Sequence, residues 1–202
     1  MFTGLIEDVG RVVSAGSLLV LETELASGLL SGESLAVDGS CLSVEKVSGR
    51  RVFFRVSPET LRRTVPFRAG APVNLERPLR LDGRLHGHLV TGHVDCAGTV
   101  GAVRTQGDFS QVRISCPGEW HGLLVEKGSV AVSGISLTVA ELVPGAGFTV
   151  TVIPETLART GAAKWKPGSQ VNLEFDIIGK YIQRGMECFG KQHGLRHKIE
   201  QG

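Results

Sequence analysis

The chain says nearly the same thing twice, and that repetition limits what it can fold into. Residues 34–44 return 95 positions later as 129–139, with Asp38-Gly39-Ser40-Cys41 matched to Ser133-Gly134-Ile135-Ser136. Ser57-Pro58-Glu59-Thr60-Leu61 returns after 96 as Ile153-Pro154-Glu155-Thr156-Leu157, and Val73-Asn74-Leu75-Glu76 after 98 as Val171-Asn172-Leu173-Glu174. The opening Thr3-Gly4, with Glu7, Gly10 and Val12, is echoed 88 positions on by Thr91-Gly92, Asp95, Gly98 and Val100. The order holds while the offset drifts, the mark of loops lengthening between fixed elements. Two copies make a duplicated domain rather than a solenoid. Such a domain offers two related pockets that can specialise apart.

At 202 residues the chain accommodates two domains of about 95 residues. Residues 1–88 and 89–176 are read as the two copies and 177–202 as a tail. Each copy is small and buries a modest core. A formal charge of +2, with no basic stripe interleaved with aromatics, argues against a nucleic-acid partner. No apolar run approaches the roughly 20 residues of a membrane span, so no membrane partner is expected. Residues 1–8 lack the basic start and apolar stretch of a signal peptide. Cys41, Cys96, Cys116 and Cys188 are scattered, which points to free thiols and a cytoplasmic location.

The periodicity is strand-like. Residues 17–22, 34–37, 42–47 and 51–56 are short, rich in Val and Leu and punctuated by Gly and Ser, with Ser48-Gly49 as a hairpin turn. Residues 111–116, 129–132, 137–143, 148–152 and 170–175 match them in the second copy, with Pro144-Gly145 at the equivalent turn. Short helical turns are expected to start at Pro58 and Pro154, where Pro suits a first helical position. Many short strands at regular spacing predict an all-β fold, a closed barrel or a sandwich. From Asp176 onward, Ile178, Tyr181, Ile182, Met186 and Phe189 recur at helical spacing, with no counterpart in the first copy. This apolar face either joins subunits or packs back onto its own domain.

Met1–Glu7, the Gly39–Val44 turn, Gly87-His88-Leu89-Val90-Thr91-Gly92-His93-Val94-Asp95 and Ser133–Val139 together resemble the riboflavin synthase family, alpha-chain type. The resemblance covers Met1 to about Phe189 and rests on the joint order of motifs. It implies two tandem six-stranded Greek-key barrels, related by duplication, with a C-terminal helix through which three chains associate as a homotrimer. It further implies that two molecules of 6,7-dimethyl-8-ribityllumazine react by four-carbon transfer, giving riboflavin and 5-amino-6-(ribitylamino)uracil. No metal and no redox cofactor take part, and association with lumazine synthase is expected. The active site would form between the N-terminal barrel of one subunit and the C-terminal barrel of its neighbour.

A reaction between two copies of one substrate suits two related pockets, but donor and acceptor require the pockets to differ. Cys41 falls opposite Ser136, and a thiol is the better nucleophile once ionised. A free cysteine is also a common small core filler, and it is the family match that places Cys41 in the chemistry. His93 falls opposite Leu5 and matches the second histidine of the family's Gly-His-x-x-x-Gly-His pattern, a candidate proton carrier. His88 is expected to be structural or to support a site residue from behind, and His86 to have no role. His86 and His88 would share one face of a strand that His93 does not, which argues against a metal cluster.

The resemblance places catalysis on Cys41, His93 and Ser136. It places substrate contacts on Phe2, Thr3, Gly4, Leu5 and Ile6, on Ser34, Leu42 and Ser43, and on Ser57, Pro58, Glu59 and Thr60. In the second copy it adds Gly92, Val94, Lys127, Leu137 and Thr138, with Val152, Ile153, Pro154, Glu155 and Thr156. Phe2 would stack beside a bound ring, and the paired hydroxyls suit a polyol; Ser57 and Glu59 could equally cap a short helix. Ser133 stands where the family usually carries Asp or Asn, which bears on activity if that carboxylate acts in the second pocket. The alternative reading is a non-catalytic lumazine- or flavin-binding protein of the same fold.

Overall fold

Alternation of apolar and polar side chains makes the strands and aims them. In β4 (Ser40–Ser48), Leu42 and Val44 point into a core while Ser43 and Glu45 face outward. The computed structural model describes residues 1–192, so the end of the expected tail lies outside the described residues. The first copy contributes β1 (Asp8–Ser14), β2 (Leu18–Glu22), β3 (Ser34–Val37), β4, β5 (Arg51–Arg55) and β6 (Pro72–Glu76). The second contributes β7 (Cys96–Gln106), β8 (Phe109–Ser115), β9 (Ser129–Val132), β10 (Ile135–Val143), β11 (Gly147–Val152) and β12 (Gln170–Phe175).

Each set closes into an antiparallel barrel, in the cyclic order β1-β2-β5-β4-β3-β6 and its equivalent β7-β8-β11-β10-β9-β12. Closure leaves no free edge. The copies share even their irregularities. Register shifts after Val12 in β1 and Val44 in β4 recur after Val100 in β7 and Val139 in β10, where an extra residue bends a strand round the barrel. Leu21, Leu35, Phe54 and Leu75 fill the first core; Ile114, Phe148, Leu173 and Phe175 fill the second.

Three strands exceed the sequence expectation, which named no strand at β1, β6 or β7. Glycine weakens the strand signal of β1 and β7. Yet Gly10 and Gly98 are needed, because a Cβ there would lie 2.7 Å from a methyl of Leu75 or Leu173. The expected strand carrying His86 and His88 does not form. Residues 86–89 are irregular because Gly87 passes so close to Thr3 O that a Cβ would sit 1.9 Å away.

Short helices α1 (Pro58–Arg63) and α2 (Pro154–Arg159) start at the two prolines. Ser57 Oγ caps α1 by accepting from Thr60 N at 3.1 Å. Ile153 supplies no such cap to α2. A longer α3 (Ile177–Gln192) follows β12.

The two barrels meet through reciprocal contacts, the signature of a two-fold relation. Phe2 N donates to Val90 O at 2.7 Å and Val90 N to Phe2 O at 3.1 Å. Gly39 and Gly134 lie so close that a Cβ on either would be 2.7–2.8 Å from the other's nitrogen. Asn74 Nδ2 donates to Ser133 O, and Asn172 Nδ2 to Asp38 O, at 2.9 and 2.8 Å. Their Oδ1 atoms accept from Gly161 N and Val65 N, each at 2.7 Å.

Asp38 and Ser133 sit at this joint in left-handed backbone (φ 45° and 46°). Asp38 Oδ1 accepts from Asn74 N at 2.8 Å, and Ser133 Oγ from Asn172 N at 3.3 Å. Burial pushes the Asp38 carboxyl up to about 7, against the opposing pull of the Asn74 N–H. The folded chain thus keeps a proton that the unfolded chain releases near pH 3.8. The stability this group contributes is complete below that pH and is lost as pH rises through about 7. Asparagine accepts the same N–H and tolerates a positive φ. Asp38→Asn should therefore raise Tm at pH 8 by at least the roughly 2–4 °C that 1 kcal/mol represents in a chain this long, and change it little at pH 4. Parallel melting curves for parent and variant across this range would contradict the assignment.

Candidate active site

Two buried carboxylates aim the segments that build the site. Glu76, at the end of β6, accepts from Thr3 N, Thr3 Oγ1 and Gly4 N at 2.7, 2.8 and 2.9 Å. Glu174 in β12 repeats this with Thr91 N, Thr91 Oγ1 and Gly92 N at 2.6, 2.7 and 2.9 Å. Burial raises both carboxyls above the usual range and the threonine donors pull them back. Each segment then crosses to the other copy: Gly92 O accepts from Cys41 N, and Gly4 O from Ser136 N, both at 2.8 Å. Every cleft is therefore half one copy and half the other.

The first cleft, about 410 Å³, is lined by Ser40 and Cys41 from β4, by Glu59, Thr60, Arg63 and Thr64 from α1, and by Gly92–Asp95. The second, about 640 Å³, is lined by Gly4–Glu7, Leu25, Arg77, Ile135, Ser136, Ile153, Glu155, Thr156, Arg159 and Thr160. Both volumes fall in the range of small-molecule sites. Every lining residue of the first has its repeat counterpart in the second, which adds Leu25, Arg77 and Ile153, and the two lie on either side of the two-fold with no lining residue in common. Cys41 in one takes the place of Ser136 in the other, His93 that of Leu5, Val94 that of Ile6, and Glu59-Thr60 that of Glu155-Thr156.

Cys41 and His93 are thus brought to one cleft, with His93 exposed at its lip. Arg63 Nε donates to Glu59 Oε1 at 2.8 Å, and Arg159 Nη1 to Glu155 Oε1 at 3.3 Å. The Arg63 bond, with Arg62 added, holds the Glu59 carboxyl below its usual range. Glu59 is spent on this pair and does not cap α1.

Several residues implied by the resemblance line neither cleft. Phe2 is fully buried and packs with Ala36, Val90 and Ala131 against Cys41, supporting the thiol from behind. Thr3 is spent on Glu76. Leu42, Leu137 and Val152 point into the barrel cores. Ser34, Ser43 and Thr138 lie along the β3–β4 and β9–β10 ladders, and Ser57, Pro58 and Pro154 start the helices. Lys127 is exposed, in left-handed backbone at φ 65°. Among the described residues no group of three or more His, Cys, Asp or Glu could hold a metal ion. No described helix is long and apolar enough to cross a membrane.

One feature escaped sequence reasoning. Arg63 and Arg159 stand in both Pro-Glu-Thr-Leu repeats, which was a signal available to it. His88, read from the sequence as structural or as supporting a site residue, has its Nδ1 2.7 Å from Ser136 Oγ. Burial pulls the His88 pKa down, with Asp176 opposing, and its Nε2 is buried without a hydrogen-bond partner among the described residues. A neutral imidazole against a serine hydroxyl can take or return its proton. Cys96 and Cys116, by contrast, are pushed up to about 12 and about 11 by burial, which keeps them thiols at neutral pH.

A family model, the lumazine binding domain, matches the chain twice, over residues 3–78 and 91–176. The riboflavin synthase of Actinobacillus pleuropneumoniae is 37% identical over 192 residues, covering 91% of this chain and 89% of that protein. That of Mycobacterium tuberculosis (strain H37Rv) is 39% identical over 203 residues, covering 94% and 100%. That of Bacillus subtilis (strain 168) is 34% identical, covering 91% and 89%. Among solved structures, LumP complexed with 6,7-dimethyl-8-(1'-D-ribityl) lumazine superposes with TM-score 0.76 at 21% identity, covering 86% of this chain and 98% of that one. This last likeness is one of fold.

The crossing segments leave no room at their glycines. A Cβ on Gly92 (φ 81°) would lie 2.5 Å from Cys41 Cβ, and one on Gly4 (φ 80°) 2.5 Å from Ser136 Cβ. Gly92→Ala and Gly4→Ala should each cost about 2–4 kcal/mol, left-handed strain and overpacking together. Gly107→Ala, at φ 58° with nothing within 4 Å, meets the strain alone and should cost about 1–2 kcal/mol. Urea unfolding of the three variants checks this; equal losses would mean the contacts at the clefts carry no weight.

Proposed function

Because the chain belongs to the riboflavin synthase family, with its duplicated lumazine-binding domain, we propose that its two clefts carry that family's reaction as a donor and an acceptor site. The reaction is the dismutation of two 6,7-dimethyl-8-ribityllumazine molecules to riboflavin and 5-amino-6-(ribitylamino)uracil by four-carbon transfer. The observation that carries this reading is the pair of clefts, matched position for position yet different where chemistry would occur, Cys41 against Ser136 and His93 against Leu5. One substrate in two related sites needs common recognition and distinct reactivity. Thr60 and Thr156, with the Glu59–Arg63 and Glu155–Arg159 pairs, offer the same donors and acceptors to a polyol and a uracil-like edge in each cleft. In the first, Cys41 supplies a nucleophilic sulfur and His93 a proton carrier. In the second, Ser136 exchanges its proton with His88. Holding two rings in reacting contact supplies about 7–11 kcal/mol of the barrier through proximity, and the reaction needs no metal or redox cofactor.

The two clefts of one chain lie on opposite sides of the two-fold, so two bound rings meet only if a Cys41 cleft faces a Ser136 cleft of another chain. We propose that a homotrimer assembled through α3 provides this arrangement. Ile178, Tyr181, Ile182 and Met186 form an apolar stripe on that helix, all more than half exposed. A cytoplasmic location and an association with lumazine synthase complete the reading. A non-catalytic lumazine-binding role is the second reading; the fold likeness to LumP favours it, but it gives Cys41 and His93 in one cleft no use.

Incubating the pure protein with the lumazine should produce flavin absorbance, and its absence would leave the binding role standing. Cys41→Ser should lower turnover at least about tenfold, given the gap between thiol and hydroxyl nucleophiles, with lumazine affinity within a few-fold of the parent. Near-normal turnover in the folded variant would remove Cys41 from the chemistry. Mixed oligomers of a Cys41 variant and a Ser136 variant should regain activity, since some interfaces then pair two intact clefts. No rescue, with subunit exchange confirmed by mass, would place the site within one chain.

A further inference from the structure

The two crossing segments are tethered at their far ends by different parts of the molecule. In the first copy, Glu7 closes the segment: its Oε1 accepts from Arg77 N at 2.7 Å and its Oε2 from Arg77 Nε at 2.9 Å. Arg77 directly follows β6, so backbone and cation come from one residue of one barrel. In the second copy Asp95 stands at Glu7's position, and its Oδ2 accepts from Phe175 N at 2.8 Å. Phe175 is the repeat equivalent of Arg77 and carries no charge; its ring is buried and stacks on Trp120 at 5.6 Å. The missing cation arrives from α3, where Lys180 Nζ lies 2.6 Å from Asp95 Oδ2. This pair is the least exposed ion pair among the described residues, at 22% and 12% side-chain exposure, so salt screens it less than the surface pairs.

We infer that Lys180 is a positioning residue: it ties α3 to the Thr91–Asp95 segment and so sets where His93 sits at the lip of the Cys41 cleft. Glu174 holds the front of that segment at Thr91 and Gly92; at its rear Asp95 N donates to Leu173 O at 2.8 Å, Phe175 N donates to Asp95 Oδ2, and Lys180 supplies the charge that faces that carboxylate. His93 lies between; among the described residues its one backbone hydrogen bond runs from His93 N to Thr91 Oγ1 at 3.3 Å. The first turns of α3 rest on the 3-10 turn Gly118–Leu123, where a Cβ on Gly179 would lie 3.6 Å from Leu123 Cδ2. Any displacement of α3 on that seat pulls on Asp95, and through it on His93. The Ser136 cleft has no such link, because Arg77 belongs to the barrel itself. This inference rests on the proposed catalytic role of the Cys41 cleft.

Lys180→Met keeps the aliphatic stem and removes the charge; Lys180→Arg restores it. The methionine variant should lose at least tenfold in kcat with KM within about threefold, and the His93 ring resonances, assigned with His93→Gln, should shift. Arginine should recover most of both. Should the methionine variant change its oligomeric mass, Asp95→Asn, which leaves α3 its lysine, should reproduce the kcat loss and the His93 shift. Folded variants with parental kcat and unmoved His93 resonances would overturn the inference. A parent chain that makes no flavin would instead defeat the proposed function, while the resonance shifts still decide whether Lys180 positions His93.

Discussion

Glu76 and Glu174 do what no apolar contact could: each gathers two backbone N–H groups and a hydroxyl at the place where a segment leaves its own barrel. A buried carboxylate is costly unless its oxygens are satisfied, and here three donors satisfy each one. The geometry is thereby fixed at both ends. Gly4 must lie over Ser136 and Gly92 over Cys41, because the preceding Thr-Gly units have only one place to put their donors. The clefts, their shared ownership and the two-fold relation between barrels all follow from this pair of anchors.

Anchoring of this kind lets the copies diverge without losing register. At the joint the two asparagines and the two apposed glycines are kept in both copies, since each meets a backbone group of the other barrel with no slack. Asp38 and Ser133 differ, and the structure shows why that difference is tolerated. Both serve the joint as acceptors for a backbone N–H, away from either cleft, so a serine in place of the family's usual carboxylate or amide leaves the second cleft intact. The cation at the segment's end has changed more: the position that holds Arg77 just after β6 in one copy holds a core phenylalanine at the end of β12 in the other, and the charge has moved to a helix.

Much of this was readable beforehand because a repeat is its own comparison. The pairs Cys41/Ser136, Leu5/His93 and Glu59/Glu155 came from aligning the chain with itself, and the structure sets each pair at equivalent points of two clefts. Short apolar runs bounded by turn residues, such as residues 34–37 and 129–132, emerged with the bounds expected of them. The failures have a common cause: contacts between residues far apart in sequence override local signals. Glycines that weaken β1 and β7 as strands are there for Leu75 and Leu173. Phe2 looks like a ring for stacking on ligand until Val90 and Ala131 enclose it. His88 reads as structural or supporting, with no partner to name, until Ser136, 48 residues away, accepts or donates its hydrogen bond. Periodicity carries no information about such meetings.

One six-residue stretch shows how the two-fold concentrates the chemistry. Val90 sits on the axis, paired with Phe2. Two residues before it, His88 turns towards Ser136, buried and held neutral; three residues after it, His93 reaches the lip of the Cys41 cleft, exposed to solvent. A segment that passes the two-fold presents its two ends towards the two related sites, so a single stretch can bring an imidazole to Ser136 and another to the Cys41 cleft. The two imidazoles nevertheless differ in kind. His88 is desolvated and faces a hydroxyl, suited to passing one proton back and forth without water. His93 is solvated and shares its cleft with a thiol, suited to exchanging protons with bulk solvent. Unequal surroundings for equivalent sites are what a reaction between two identical molecules demands, and here they arise from a crossing that the buried glutamates enforce.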